Sequence, residues 1–156
     1  MARTTRAEAE TTDPVVDVDP VAIALAELAS ATEVLAEYGP DGAAHVSGLN
    51  EGPYPHLQIR PSPGGDDNRL LWSVTGEVAL LAWAHPDGRP GSAELRRLLY
   101  RAVKHLVGTA DRESIPGRPV VVDAYAVGSA RLQPDPATGQ LCWAHTVQII
   151  AHPDNA

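Results

Sequence analysis

Apolar and polar positions alternate in two ways along this chain, and the switch between them outlines the fold. From Glu77 to Ala84 the spacing is that of a strand, and a Gly/Pro-rich turn follows at residues 85–91. Ser92 to Val107 then places Leu95, Leu98, Leu99, Ala102, Val103 and Leu106 on one helical face, with Ser92 as the expected N-cap and Glu94 in the first turn. Gly108 ends that helix, and residues 109–119 read as a linker. Val120 to Ala130 and Leu141 to Ala151 are further strands, joined by a hairpin around Gln133 to Gln140. There Asp135-Pro136 starts the turn and Gly139 can take positive φ.

The first half is less regular. Asp19-Pro20 is an N-cap followed by proline at the first helical position, and one helix is expected from Val21 to Tyr38, stopped by Gly39-Pro40. Val21, Leu25, Leu28, Thr32 and Leu35 form its apolar stripe. The flanking Ala22, Ala26, Ala29 and Ala36 would let it lie close to a sheet. Residues 41–53 read as irregular. His56 to Arg60 is a half-buried strand, bracketed by Pro55 and Pro61 and so expected at an edge. Residues 62–68 read as a turn or loop, residues 69–75 as a further strand, and Gly76 as a bulge or turn. The resulting expectation is an α+β fold. A mixed or antiparallel sheet of about four to five strands is packed by two main helices, with residues 1–18 as an arm and 19–156 as one domain.

Composition narrows the function classes. The chain has 156 residues, with 44% apolar and 21% charged. Twenty acids stand against twelve bases, a net charge of -8. That balance opposes a protein built to grip nucleic acid, although DNA could slide past such a surface. No stretch is long and apolar enough for a membrane helix, and residues 1–14 lack the apolar run of a signal peptide. The single cysteine, Cys142, lies in a strand and reads as a small buried hydrophobe.

Candidate chemistry is sparse. His45, His56, His85, His105, His145 and His152 show no metal-ligand spacing, and no nucleophile elbow or phosphate loop occurs. Glu77 and Asp123 sit on strands without a lysine nearby, since Lys104 is the only one. No catalytic, metal or cofactor site is expected. What stands out is the outer face of the Ser92 helix. Arg96, Arg97, Tyr100, Arg101 and Lys104, together with Arg89, concentrate positive charge and one aromatic in an acidic protein. They are the candidate contact residues for a subunit or partner. Trp72, Trp83 and Trp143 all fall on strands and read as core packing, with a subunit contact by one of them as the alternative.

Several segments follow one another in a telling order. They are Tyr54-Pro-His-Leu-Gln-Ile-Arg60, Arg69-Leu-Leu-Trp72, Glu77-Val with an Ala-Trp strand end, and Asp87-Gly-Arg-Pro-Gly-Ser92. Leu95-Arg-Arg-Leu-Leu-Tyr100 and Leu132-Gln-Pro-Asp-Pro-Ala-Thr-Gly-Gln140 follow, before a Trp-bearing strand ending Ala151-His-Pro153. This series resembles the tail terminator (tail completion) proteins of long-tailed phages of actinobacterial hosts. The resemblance covers Tyr54 to Pro153 and implies a non-enzymatic virion subunit that closes into a hexameric ring. Such a ring caps the tail tube protein, ends its polymerisation and faces a head-completion or stopper protein. DNA passes through its lumen without sequence-specific binding, and the ring belongs to the tail or neck of a virion assembled in the host cytoplasm. Two alternatives remain: another neck connector ring, and a small cytosolic ligand-binding domain or enzyme.

Overall fold

The structure, a computed structural model, describes residues 18–68 and 73–153. Residues 1–17 of the expected arm (residues 1–18), and residues 69–72 with Trp72, lie outside the described residues. Val18, expected as the last residue of the arm, is instead buried in the core next to the Asp19 cap.

Helix α1 (Pro20–Ala29) opens on Asp19, whose carboxylate accepts the Val21 N–H at 3.0 Å. The expected single helix to Tyr38 is broken at Ser30–Ala31, and α2 (Thr32–Ala36) follows. Ser30 donates its hydroxyl to the Glu27 carbonyl, and Ala31 leaves helical geometry. The break rotates the later residues. Ala31, Val34, Leu35 and Tyr38 turn inward, whereas Thr32, expected on the stripe, is exposed. Ala22, Ala26, Ala29 and Ala36 are exposed as well; the small residue at the helix–sheet contact is Ala24.

A short 3-10 helix (Gly42–His45) and the two-residue strand β1 (Val46–Ser47) occupy the segment expected to be irregular. Next come β2 (His56–Asn68), β3 (Ser73–Trp83), α3 (Ser92–Val107), a second 3-10 turn (Gly108–Asp111), β4 (Val120–Leu132) and β5 (Cys142–His152). The sheet order is β1-β2-β3-β5-β4, antiparallel except for β1 beside β2. This is the expected α+β class, a mixed five-stranded sheet with two main helices, α1 and α3. Residues 62–68 are strand rather than loop: they continue β2 through a register shift between Ser62 and Gly65. Gly76 sits opposite that irregularity, and its lack of a side chain has a definite cause. A Cβ there would run into the Pro20 ring at the start of α1.

One sheet face carries the helices. Leu57, Ile59, Val78, Leu80, Val147 and Ile149 meet Leu28, Leu35 and the whole expected apolar face of α3 in a continuous core. Each such side chain, fully buried, contributes roughly 1.5–3 kcal/mol. Tyr38 crosses from α2 to donate its hydroxyl to the Leu98 carbonyl at 2.9 Å, and burial raises its pKa. A smaller cluster, Leu81, Trp83, Cys142 and Ala144, lies on the other face under Tyr54. Burial pushes the Cys142 thiol up to about 12, so the residue packs as an inert hydrophobe.

Candidate subunit interface

The outer face of α3 divides into separate contacts. Arg97 donates to Glu94 at 2.7 Å and to Glu37 at 3.0 Å, and Arg101 reaches the other Glu37 oxygen at 3.1 Å. Two of the four basic side chains on this face are thus tied to acids of the same chain, one of them on the segment after α2. Hydrogen bonds from Arg97 hold the Glu94 carboxyl below the usual carboxylate range. Arg89 is remote from both, clamped on Asp87 in its own loop at 2.6 Å. That contact depresses the Asp87 pKa to about 2. Lys104 is exposed on the same helix face. The expected basic strip is therefore largely neutralised within the chain.

Arg96 and Tyr100 behave differently. The Arg96 guanidinium lies 5.3 Å from the Tyr100 ring centre and 5.6 Å from that of Trp143 on β5. Tyr100 meets His145 edge-on at 5.7 Å. Trp143 is half-buried, and its indole N–H donates to Ser92 Oγ at 3.1 Å. This occupies the hydroxyl expected to cap α3; the cap residue is Gly91, without a side-chain bond. Arg, Tyr and Trp stacked together at a surface have the composition of interaction hot spots.

This cluster adjoins a feature that periodicity does not reveal. Trp143 pairs with Leu132 at the end of β4, and β4 is the last strand of the sheet. Along β4, Val122 (55% exposed), Tyr125 (42%), Val127 and Leu132 are open to solvent. Only Ala124 is buried. Two register shifts, at Val121/Asp123 and Val127/Arg131, interrupt the strand's pairing with β5. The run Val120 to Val127 reads from sequence as an ordinary strand because its edge position depends on strand order. The available signal was a β-branched, lysine-free run that proline only precedes, at Pro119.

Three buried histidines serve the fold. His45 Nδ1 donates to the Pro55 carbonyl at 2.7 Å, and His145 Nε2 to that of Gly128 at 3.1 Å. A carbonyl only accepts, so each ring is protonated on that nitrogen, and its other nitrogen is buried without a partner. His56 meets Ser47 Oγ at 2.8 Å, fastening β1 to β2. Among the described residues no group of three His, Cys, Asp or Glu is arranged to hold a metal ion. Nor is any helix among them long and apolar enough to cross a membrane.

No protein-family model matches the chain, and no curated protein matches it. Among solved structures, a chain in the virion of a native gene transfer agent particle matches with a TM-score of 0.57. The match covers 85% of this chain and 93% of that one at 14% identity, so the protein shares its fold with a component of a virus-like particle.

Proposed function

We propose that the protein is a structural, non-enzymatic subunit of a phage-like virion, and within it a tail terminator. The observation that carries this reading is the near end-to-end fold likeness to a chain of a gene transfer agent virion. In the proposed role the chain closes into a hexameric ring on the end of the tail tube. There it stops tube growth and presents its other side to a head-completion or stopper protein, in the tail or neck. A ring needs two unlike patches on each subunit. The β4 margin supplies an apolar one, extended on the α3 side by Arg96 and Tyr100. Arg97, Arg101 and Lys104 are the candidate polar contacts on the same helix, and Arg89 is a separate one in the loop before it. The net charge of -8 supports a lumen that repels phosphates and lets DNA slide. A stopper ring would use the same interface and differ only in its partner.

The test is native mass and negative-stain imaging of the purified chain, alone and with tail tube protein. Six-fold rings that halt tube growth at substoichiometric amounts are expected. Rings that bind a portal-side connector but leave tube growth unaffected would favour the stopper. A chain that stays monomeric at high micromolar concentration, with and without tube protein, would overturn both.

A further inference from the structure

A second apolar surface stands at one corner of the sheet, where the start of β4 meets α1. A groove of about 300 Å³ runs between α1 and the segment entering β4, with Ala22, Ile23, Ala26, Ile115, Val120 and Val121 among its walls. Two of the exposed α1 alanines are thus explained, because small residues keep the groove open. Ile115 on its lip is 51% exposed. Of the rim charges, Asp19 caps α1 and Glu27 holds Arg112 at 3.3 Å. Glu113 and Arg118 have no ion pair among the described residues.

The opposite corner carries a projection. Leu49 is the most exposed large hydrophobe among the described residues, at 64%, yet its loop is firmly held. Ser47 Oγ accepts the Leu49 N–H at 3.2 Å and contacts Glu51 and His56. Asn50 donates to Gln140 at 2.9 Å and accepts from the Tyr54 hydroxyl, while Gln58 donates to the Gly48 carbonyl. An exposed leucine on a loop fastened at so many points is pre-organised for contact. The loop, residues 48–55, has one charged side chain, Glu51. Of the two unpaired rim charges it can match only Arg118.

The corners cannot meet within one chain. Leu49 follows β1, which pairs with Leu57, and Leu57 lies across from Ala82 and Trp143. The groove is built on Val120 and Val121, across from His152 and Ala151 at the far end of β5. We infer that the Leu49–Glu51 loop of one copy seats in the α1–β4 groove of the next, with Glu51 against Arg118, as a head-to-tail contact. Seating Leu49 there would take its side chain and the apolar part of the groove wall out of water. This deepens the ring reading and rests on it, since it names which two surfaces of the chain meet.

The test begins with cysteines placed at Leu49 and Ile115 of the full chain. Cys142 is buried and unreactive, so only the introduced pair should oxidise. A ladder of disulfide-linked oligomers is expected from the double variant, with each single variant giving at most a dimer. In association measurements, Leu49→Asp should weaken self-association about tenfold or more. Glu51→Arg and Arg118→Glu should each weaken it by a factor of about five or less, and the double reversal should restore it. Circular dichroism of each variant checks the fold. Intact wild-type rings with no ladder, and no effect of Leu49→Asp, would overturn this contact and leave the ring reading standing. A wild-type chain that never self-associates would overturn both.

Discussion

The two margins of the sheet are treated in opposite ways. On the β2 side the outer edge is closed in pieces: β1 covers Leu57 and Gln58, and Pro61 and Pro63 lie within the strand beyond. Pro61 pairs with Val78, where a proline fits only with its nitrogen on the outer side, and Pro63 sits in the register shift between Ser62 and Gly65; neither position offers an N–H. On the β4 side thirteen residues run with no proline and no lysine, and with four large apolar side chains exposed. Edge strands invite pairing with other chains, and proteins blunt the ones they do not use. Here one edge is covered by β1 and bears prolines, and the other is interrupted only by its two register shifts and by Asp123 and Arg131. The open edge is also where Arg96, Tyr100 and Trp143 gather.

The largest effects separate the core from the open margin. Leu99→Ala, at the centre of the α3–sheet contact, should cost about 2–5 kcal/mol of unfolding free energy. Val127→Lys on β4 should change monomer stability by no more than about 0.5 kcal/mol and yet abolish ring formation. Urea melts and native mass on both variants check the pair. Rings that survive Val127→Lys would show that the open margin is not the contact.

The blunted side can be broken in the other direction. Pro61→Val combined with Pro63→Val returns two N–H donors to β2, the one at residue 61 on its outer edge. Light scattering should then show larger, heterogeneous species in place of one discrete mass. An unchanged mass would mean that β1 and the strand's twist protect that edge without the prolines.

The fastening of β1 to β2 should respond to acid. Burial, the largest cause, holds the His56 pKa below its ordinary value, and burial with the nearby Arg112 charge does the same for His105. Above about pH 6.5 both rings are neutral in the folded and unfolded chain and add no pH dependence. Below it the unfolded chain takes up protons that the folded one resists, so stability falls from about pH 6.5 towards the folded values. His56→Gln should flatten part of that slope in urea midpoints taken between pH 7.5 and 5. A slope unchanged in both His56→Gln and His105→Gln would assign it to other groups.

Much of the fold was legible because it is local. The α3 leucine face, the Asp19-Pro20 start and the Asp135–Gly139 turn follow from spacing and turn chemistry. In the turn, Gly139 has φ +73° and donates to the Asp135 carbonyl at 2.8 Å. The break at Ser30 escaped, since an Ala- and Leu-rich run favours a continuous helix and the phase shift is set by what Val34 and Tyr38 pack against. Strand 62–68 escaped because Pro-Gly-Gly-Asp-Asp has turn chemistry, overridden by pairing with β3. Of the candidate contact residues, Arg96 and Tyr100 were singled out by composition, but their stacking was not. Their partner Trp143 and the β4 edge depend on strand order. So does the pairing of Arg97 and Arg101 with Glu37, which lies sixty positions before Arg97.

That pairing changes what a charge reversal on α3 would mean. Arg97→Glu with Arg101→Glu would set two new acids beside Glu37 and Glu94, so it strains the α2–α3 contact before any partner is involved. The cleaner variant is Arg97→Ala with Arg101→Ala, which removes the cations and leaves the acids in solvent. Both guanidinium groups are about half exposed, where ion pairs contribute little and are screened by salt. A slightly lower thermal midpoint is expected, with less dependence on salt than in the wild type. If these residues also touch the next subunit, ring stability should fall further than the monomer's midpoint does. If ring and monomer change together by the same small amount, the two arginines serve the fold, and the contact narrows to Arg96, Tyr100 and the β4 margin.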